Sequence, residues 1–424
     1  MKEDFLHYIW KHQLFSERSL QTIDSKELVV LSSGMHNHNS GPDFFNAKIE
    51  IDNLIWAGNV EIHVKSSDWY LHKHEIDSNY GSVILHVVWK NDVEIFDKNN
   101  QYLPTLEISN FISKDVLENY QRLFSKELHW IPCEKLIHSV DSFIVDNWKT
   151  RLYIERLETK SKLINDLLLE SNNDYEAVLF KLLMKNFGLK INGNSFLNLA
   201  NSIDFSIVRK EQSNLLKLNA LLFGQAGFLN DDFEEVYYLK LKSEYNFLKH
   251  KYNIFPIDNR QFQFFKMRPN NFPTIRIAQI SAIYHQHQSL FSQLMSFSKL
   301  EEYYLLFNIV LDDFWKTHYS FKKESPKKVK RITKNLVDLL LINTIIPLKF
   351  SYNKSIKKDI DEEFLDLLKV VKVENNSIIS KFSELKIEAK NAFDSQALLE
   401  LKNNYCAKKR CLQCAIGNNL LRKS

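Results

Sequence analysis

FFNAKIEIDNLIWAGNVEIHVK, running from Phe44 to Lys65, decides the fold of the first part of the chain. Its opening residues alternate, with Phe45, Ala47, Ile49 and Ile51 on one face of a strand. Asp52 and Asn53 are turn formers, and Leu54 to Lys65 reads as a second, longer strand. Two such runs across a two-residue turn predict a β-hairpin. Residues 2–15 read as an amphipathic helix, with Phe5, Ile9, Trp10 and Leu14 at helical spacing. Leu28–Leu31, Val93–Phe96 and Thr105–Ile108 read as further strands. Val83–Trp89 is apolar almost throughout, as a buried strand would be.

Beyond about residue 112 the hydrophobic period changes to 3.6. Helices are expected over 142–170, 174–187, 210–223, 231–250, 274–296, 299–317, 331–342 and 392–403. Pro269, Pro273, Pro326 and Pro347 are read as breakers between helical segments. Gly224 or Gly227 is expected to supply a left-handed helix cap. That segment lacks the lysine of a phosphate-binding loop, which excludes nucleotide binding there. The chain thus reads as α+β, with a mixed-sheet module over residues 1–135. A large all-α region over 136–424 follows and ends in a Cys-rich tail.

The chain has 424 residues and a hydrophobic fraction of 44%, enough to bury a core without staples. Its net charge of +4 makes no case for nucleic acid at the level of the whole molecule. One basic run, residues 322–331, reads as a solvated segment or as a phosphate contact. No run of about 18 apolar residues suggests a membrane span, and the start lacks the layout of a secretory signal. A cytoplasmic location, with no membrane partner, is the resulting expectation.

Residues 36–86 hold six of the fourteen histidines: His36, His38, His63, His72, His74 and His86. Strand alternation puts Glu61, His63 and Lys65 on one face. Such a row is costly to bury unless paired, so the face is either solvated or a polar site. The hairpin brings Asp43, at the head of one strand, toward Glu61 in the next. Two neighbouring carboxylates suit Mg²⁺ or Mn²⁺, which could activate water at a phosphodiester, assisted by His63 or Lys65. A second reading uses His63, His72, His74 and His86 as ligands of a transition metal such as Zn²⁺ or Mn²⁺. His72 and His74 are expected to share a side only if their segment is extended. His36 and His38 would cap such a site. His86, inside an apolar strand, reads as a satisfied core histidine.

The order helix, strand, Pro42-Asp43 strand, Glu61 strand, helix, strand resembles the PD-(D/E)xK nucleases over roughly residues 1–110. The resemblance implies a restriction-endonuclease-like module acting on DNA or RNA, with Asp43 and Glu61 as metal ligands. His63 stands where those nucleases carry lysine, and Lys65 follows two positions later.

Cys406, Cys411 and Cys414 cluster near the end of the sequence, and Cys133 follows the module. One remote and three clustered cysteines form a four-thiolate pattern for Zn²⁺ or an iron–sulfur cluster. Lys408, Lys409, Arg410 and Arg422 are expected to lower the thiol pKa values.

Several stretches together resemble an uncharacterised bacterial family, DUF2851. They are Ser40–Phe44, Gly58–His63, Ser67–Trp69, Val83–Val88, Arg268–Pro273 with Arg276, and Lys409–Gly417. The family has no assigned activity. Within Arg268–Arg276, Thr274 reads as a helix cap, and the two arginines read as partners of acids or, alternatively, as groups reaching a phosphate or the sheet face.

Overall fold

The computed structural model describes every residue except Glu17, Arg18, Lys126, Leu128, Asp359, Ile360, Asp361 and Ser424. The hairpin forms over the segments the sequence indicates: β4, Phe44–Ile51, and β5, Leu54–Lys65. Asp52 and Asn53 both adopt left-handed backbone, φ 48° and 63°, as a tight hairpin turn of the I′ kind requires. One face differs from the expectation. Asn46, at φ 56°, inserts a bulge between Phe44 and Ala47, so Phe44 rather than Phe45 is buried with Ala47, Ile49 and Ile51. A bulge re-aims the residues before it, and Asp43 stands immediately upstream of this one.

The remaining strands of this sheet are β1 (Leu20–Gln21), β2 (Glu27–Ser32), β3 (Met35–His36), β6 (Val83–Lys90) and β7 (Thr105–Glu107). The order is β1-β2-β4-β5-β6-β7, with β3 paired to β4. The pairs β2/β4 and β4/β5 are antiparallel, while β5/β6 and β6/β7 are parallel. The sheet is mixed, as read. The parallel step from β5 to β6 needs a crossover. It is made by the short helix α2, Asp68–Leu71, whose Trp69 is buried against Val83, Ile95 and Leu103.

Val93–Phe96 is not a strand. Its main-chain groups bond side chains instead: Val93 N–H donates to Ser66 Oγ and Phe96 N–H to Tyr70 Oη. Local side-chain acceptors replace the ladder a strand would need. Only an isolated bridge, Phe96 to Tyr102, remains.

Helix α1, Glu3–His12, buries Phe5, Leu6, Ile9 and Trp10, and Phe5 stacks on Tyr120 of α3, Lys114–Leu123, at 3.9 Å. The chain divides into two compact units, residues 1–148 with 401–424, and residues 149–400. The Cys-rich tail therefore folds with the amino-terminal module, and not with the helical region as the division at residue 135 has it.

Among its described residues the second unit is mainly helical and carries a small hairpin, His318–Ser320 with Lys323–Glu324. Several expected helices are shorter than read. The segment 274–296 breaks into Pro273–Gln286 and Leu290–Ser296, and 299–317 into Leu300–Leu306 and Phe314–Thr317. Pro347 does not separate helices. A π-turn over Leu341–Ile345 absorbs the missing donor and the helix resumes at Ile346. Gly227, at φ 75°, supplies the left-handed turn. Gly224 serves packing: a Cβ there would lie 2.0 Å from the Tyr245 ring.

Arg276 is buried but pairs with amides, not acids: Nη1 donates to Gln279 Oε1 (2.7 Å) and Nη2 to Asn271 Oδ1 (2.6 Å). Burial lowers its pKa to about 10. Thr274 is not the cap; its hydroxyl donates to Tyr319 O, and Phe272 occupies the cap position. In the basic run, Lys330 is buried and donates to Lys316 O, so that residue is structural.

Candidate metal centre

The Pro-Asp strand and the Glu61 strand brace each other through their acids. Asp43 N–H donates to Glu61 Oε2 (3.1 Å), and Ile62 N–H donates to Asp43 Oδ2 (2.9 Å). The structure thus brings Asp43 and Glu61 together. Glu61 is buried, and burial together with the Asp43 charge raises its carboxyl to about 9. A nearby cation would reverse that preference.

Three imidazoles gather beside Glu61. Its Oε1 lies 3.4 Å from His63 Nε2 and 3.4 Å from His74 Nε2. His63 Nε2 is 3.1 Å from His72 Nδ1. Ligand atoms of His63, His72 and His74 all lie within 4.8 Å of one another. The segment carrying His72 and His74 is not extended. Lys73 adopts φ 62° and closes α2 with His74 N–H donating to Trp69 O (3.0 Å), which turns both rings to one side. Burial, reinforced by His74 and His72, lowers His63 to about 3, so the ring is neutral and its lone pair is available.

His86 lies opposite Glu61 in the parallel pair β5/β6. Its Nε2 is 2.8 Å from His63 Nδ1, while its own Nδ1 is buried with no hydrogen-bond partner. It is therefore only half satisfied as a core residue. If His63 Nδ1 carries the proton and donates to His86, His63 Nε2 presents a lone pair toward Glu61 and His72. This is how an outer imidazole orients a metal ligand.

A second group was not singled out in the sequence. Glu3, His7 and Asp43 also hold ligand atoms within 4.8 Å of one another. His7 Nε2 lies 3.2 Å from Asp43 Oδ2 and 3.8 Å from Glu3 Oε1, so the imidazole sits between two carboxylates. Burial opposes a charged His7, but Asp43 and Glu3 outweigh it and raise its pKa. Glu3 is itself raised, chiefly by burial. The signal was present in sequence as an acid and a histidine four residues apart on one helical face. Tyr80 was also missed. Its ring stacks on His74 at 3.7 Å, and burial with Glu61 and Asp43 pushes its hydroxyl to about 12.

The other expected residues are less central. His36 stacks on Phe44 at 4.7 Å and meets the His7 ring edge-on at 5.1 Å, so it borders the site through His7. Burial and His7 lower it to about 4. His38 is exposed behind it, 4.3 Å from the His36 ring. Lys65 is not gathered in. It is exposed at the end of β5, near Asp92, whose carboxyl is held low against burial by hydrogen bonds from Ser67 and Ser66, with the Lys65 charge adding to them.

Cys133, Cys406, Cys411 and Cys414 are all buried free thiols lining one cavity. The expected depression of their pKa values is reversed. Burial pushes all four up, Cys411 to about 12, and Lys402 and Lys409 offset this only in part. Lys408 bonds Asn404, and Arg422 faces Tyr8 and His12.

Among the described residues no helix is long and apolar enough to cross a membrane. No curated protein and no solved structure matches the chain. A family model described as a protein of unknown function, DUF2851, matches residues 3–377, a span that holds every side chain of the polar cluster. The chain belongs to the DUF2851 family.

Proposed function

We propose that this protein is a metal-dependent phosphodiesterase acting on DNA or RNA, with Mn²⁺ as the metal that best suits its donors. One observation carries the reading. Two ligand groups, Glu3/His7/Asp43 and His63/His72/His74, converge with Glu61 between them, one carboxylate oxygen toward the imidazoles and one toward Asp43. Mg²⁺ on Asp43 and Glu61 alone would leave the imidazoles idle. A mixed carboxylate and imidazole set suits Mn²⁺ better than an ion that prefers oxygen and water. Metal held there would supply an activated water and neutralise charge on the scissile phosphate.

The chain's own groups have separable tasks. Asp43 N–H holds the Glu61 carboxyl, and His86 Nε2, 2.8 Å from His63 Nδ1, orients the His63 ring. Tyr80 packs over His74 and limits its motion. No task falls to Lys65. A nucleic-acid backbone as the substrate class rests on the likeness of the element order α1, β2, β4 led by Asp43, β5 with Glu61, α2 and β6 to that of the PD-(D/E)xK nucleases.

The test is cleavage of labelled DNA and RNA by the full chain with Mn²⁺, with Mg²⁺ and with EDTA. Cleavage in Mn²⁺, weaker in Mg²⁺ and abolished by EDTA, is expected. No cleavage of any substrate with either ion would sink the hydrolase reading and leave a non-catalytic binding protein.

A further inference from the structure

The last 24 residues, Leu401–Ser424, belong to the same compact unit as the first 148, where Leu401, Ile416, Leu420 and Leu421 are buried and a few polar contacts add to that packing. Asn119 Nδ2 donates to Lys423 O (2.8 Å) and Lys423 Nζ to Ser139 O (2.8 Å). Lys402 Nζ bonds Trp130 O. Exposed bonds of this kind contribute little each. At the centre of the contact, Cys133 meets Cys406, Cys411 and Cys414 around one cavity.

Four buried thiols can be ordinary small apolar side chains. Their placement argues otherwise: the thiols come from Cys133 and from three positions near residue 410, yet all four are buried and line the same cavity. The backbone is closely fitted there, since a Cβ at Gly417 would sit 2.2 Å from Cys411 O.

The spacing selects the kind of centre. A single zinc with Zn–S bonds of about 2.3 Å holds its sulfurs roughly 3.8 Å apart. Among the described residues, trios of ligand atoms all within 4.8 Å of one another occur in the polar cluster and include no cysteine. Every trio of these four sulfurs therefore contains a wider pair. An iron–sulfur cluster holds its thiolates apart, because several iron atoms and inorganic sulfides lie between them.

We propose that Cys133, Cys406, Cys411 and Cys414 ligate an iron–sulfur cluster that staples the end of the chain to the amino-terminal unit. Each thiol gives up its proton on ligation, and the cluster's role is structural. This site shares no residue with the polar cluster, so its failure and that of the phosphodiesterase reading are independent.

The experiment is anaerobic purification of the full chain, followed by assay of iron, acid-labile sulfide and zinc with a visible absorption spectrum. Iron and sulfide in equal amounts with broad visible absorption are expected. Cys133→Ser and Cys414→Ser should each lose most of both. Stoichiometric zinc in place of iron, or no iron after anaerobic reconstitution with iron and sulfide, would overturn the proposal. So would wild-type iron and sulfide in both variants. Should the variants fail to fold, the wild-type metal content still decides.

Discussion

Glu61→Gln is expected to lower Mn²⁺-dependent cleavage by about 100-fold or more, the scale of losing one preorganised electrostatic group at a reacting centre. The amide has the same size, and its oxygen can still accept from Asp43 N–H, so the fold should survive. What is lost is the group that a bound cation would ionise, the carboxyl whose Oε1 lies 3.4 Å from His63 Nε2 and from His74 Nε2. The melting temperature of the metal-free variant should stay within a few degrees of wild type, while its Mn²⁺ affinity drops. Full cleavage by a folded Glu61→Gln protein would remove Glu61 from the chemistry. Collapse of the fold would mark it as structural instead.

The second large effect is on stability. Trp69 is 1% exposed and fills the space between α2 and the strands, packed on Val83, Ile95 and Leu103. Its Nε1 donates to Phe96 O at 3.1 Å, and its ring meets those of His74 and His86 at 5.4 and 5.5 Å. Trp69→Ala should destabilise the amino-terminal unit by about 3–5 kcal/mol, the usual cost of truncating a buried aromatic. Because the chain has two units, the readout is hydrogen exchange in β5 and β6, which reports local opening. Trp69→Phe keeps most of the volume and should cost clearly less. Unchanged exchange in the alanine variant would contradict this placement of the core.

The hairpin was legible because period-two alternation and an Asp-Asn turn are both local signals. They sufficed to bring Asp43 and Glu61 together. They did not foresee the bulge at Asn46, since a single asparagine among alternating residues does not announce left-handed backbone. The pairing of His72 with His74 was hidden for a similar reason. It depends on Lys73 at φ 62°, a conformation lysine gives no hint of. Glu3 and His7 escaped because α1 was read only for its apolar stripe. Val93–Phe96 has the composition of a strand, but Ser66 and Tyr70 claim its main-chain donors. Lys65 followed the alternation correctly, yet it stands past the point where β5 leaves the cluster. Helix lengths beyond residue 149 were overestimated wherever an apolar period ran through a break, as at residues 287–289.

The central claim is that the gathered acids and imidazoles form a metal site. The most direct test is Mn²⁺ titration of the full chain, compared with His63→Ala and with His7→Ala. Thiolates do not select Mn²⁺, so the cysteines do not compete for it. The account predicts saturable binding by the wild type that is lost or strongly weakened in His63→Ala, with His7→Ala also weakened. Absence of saturable binding, or equal binding by all three folded proteins, would contradict it.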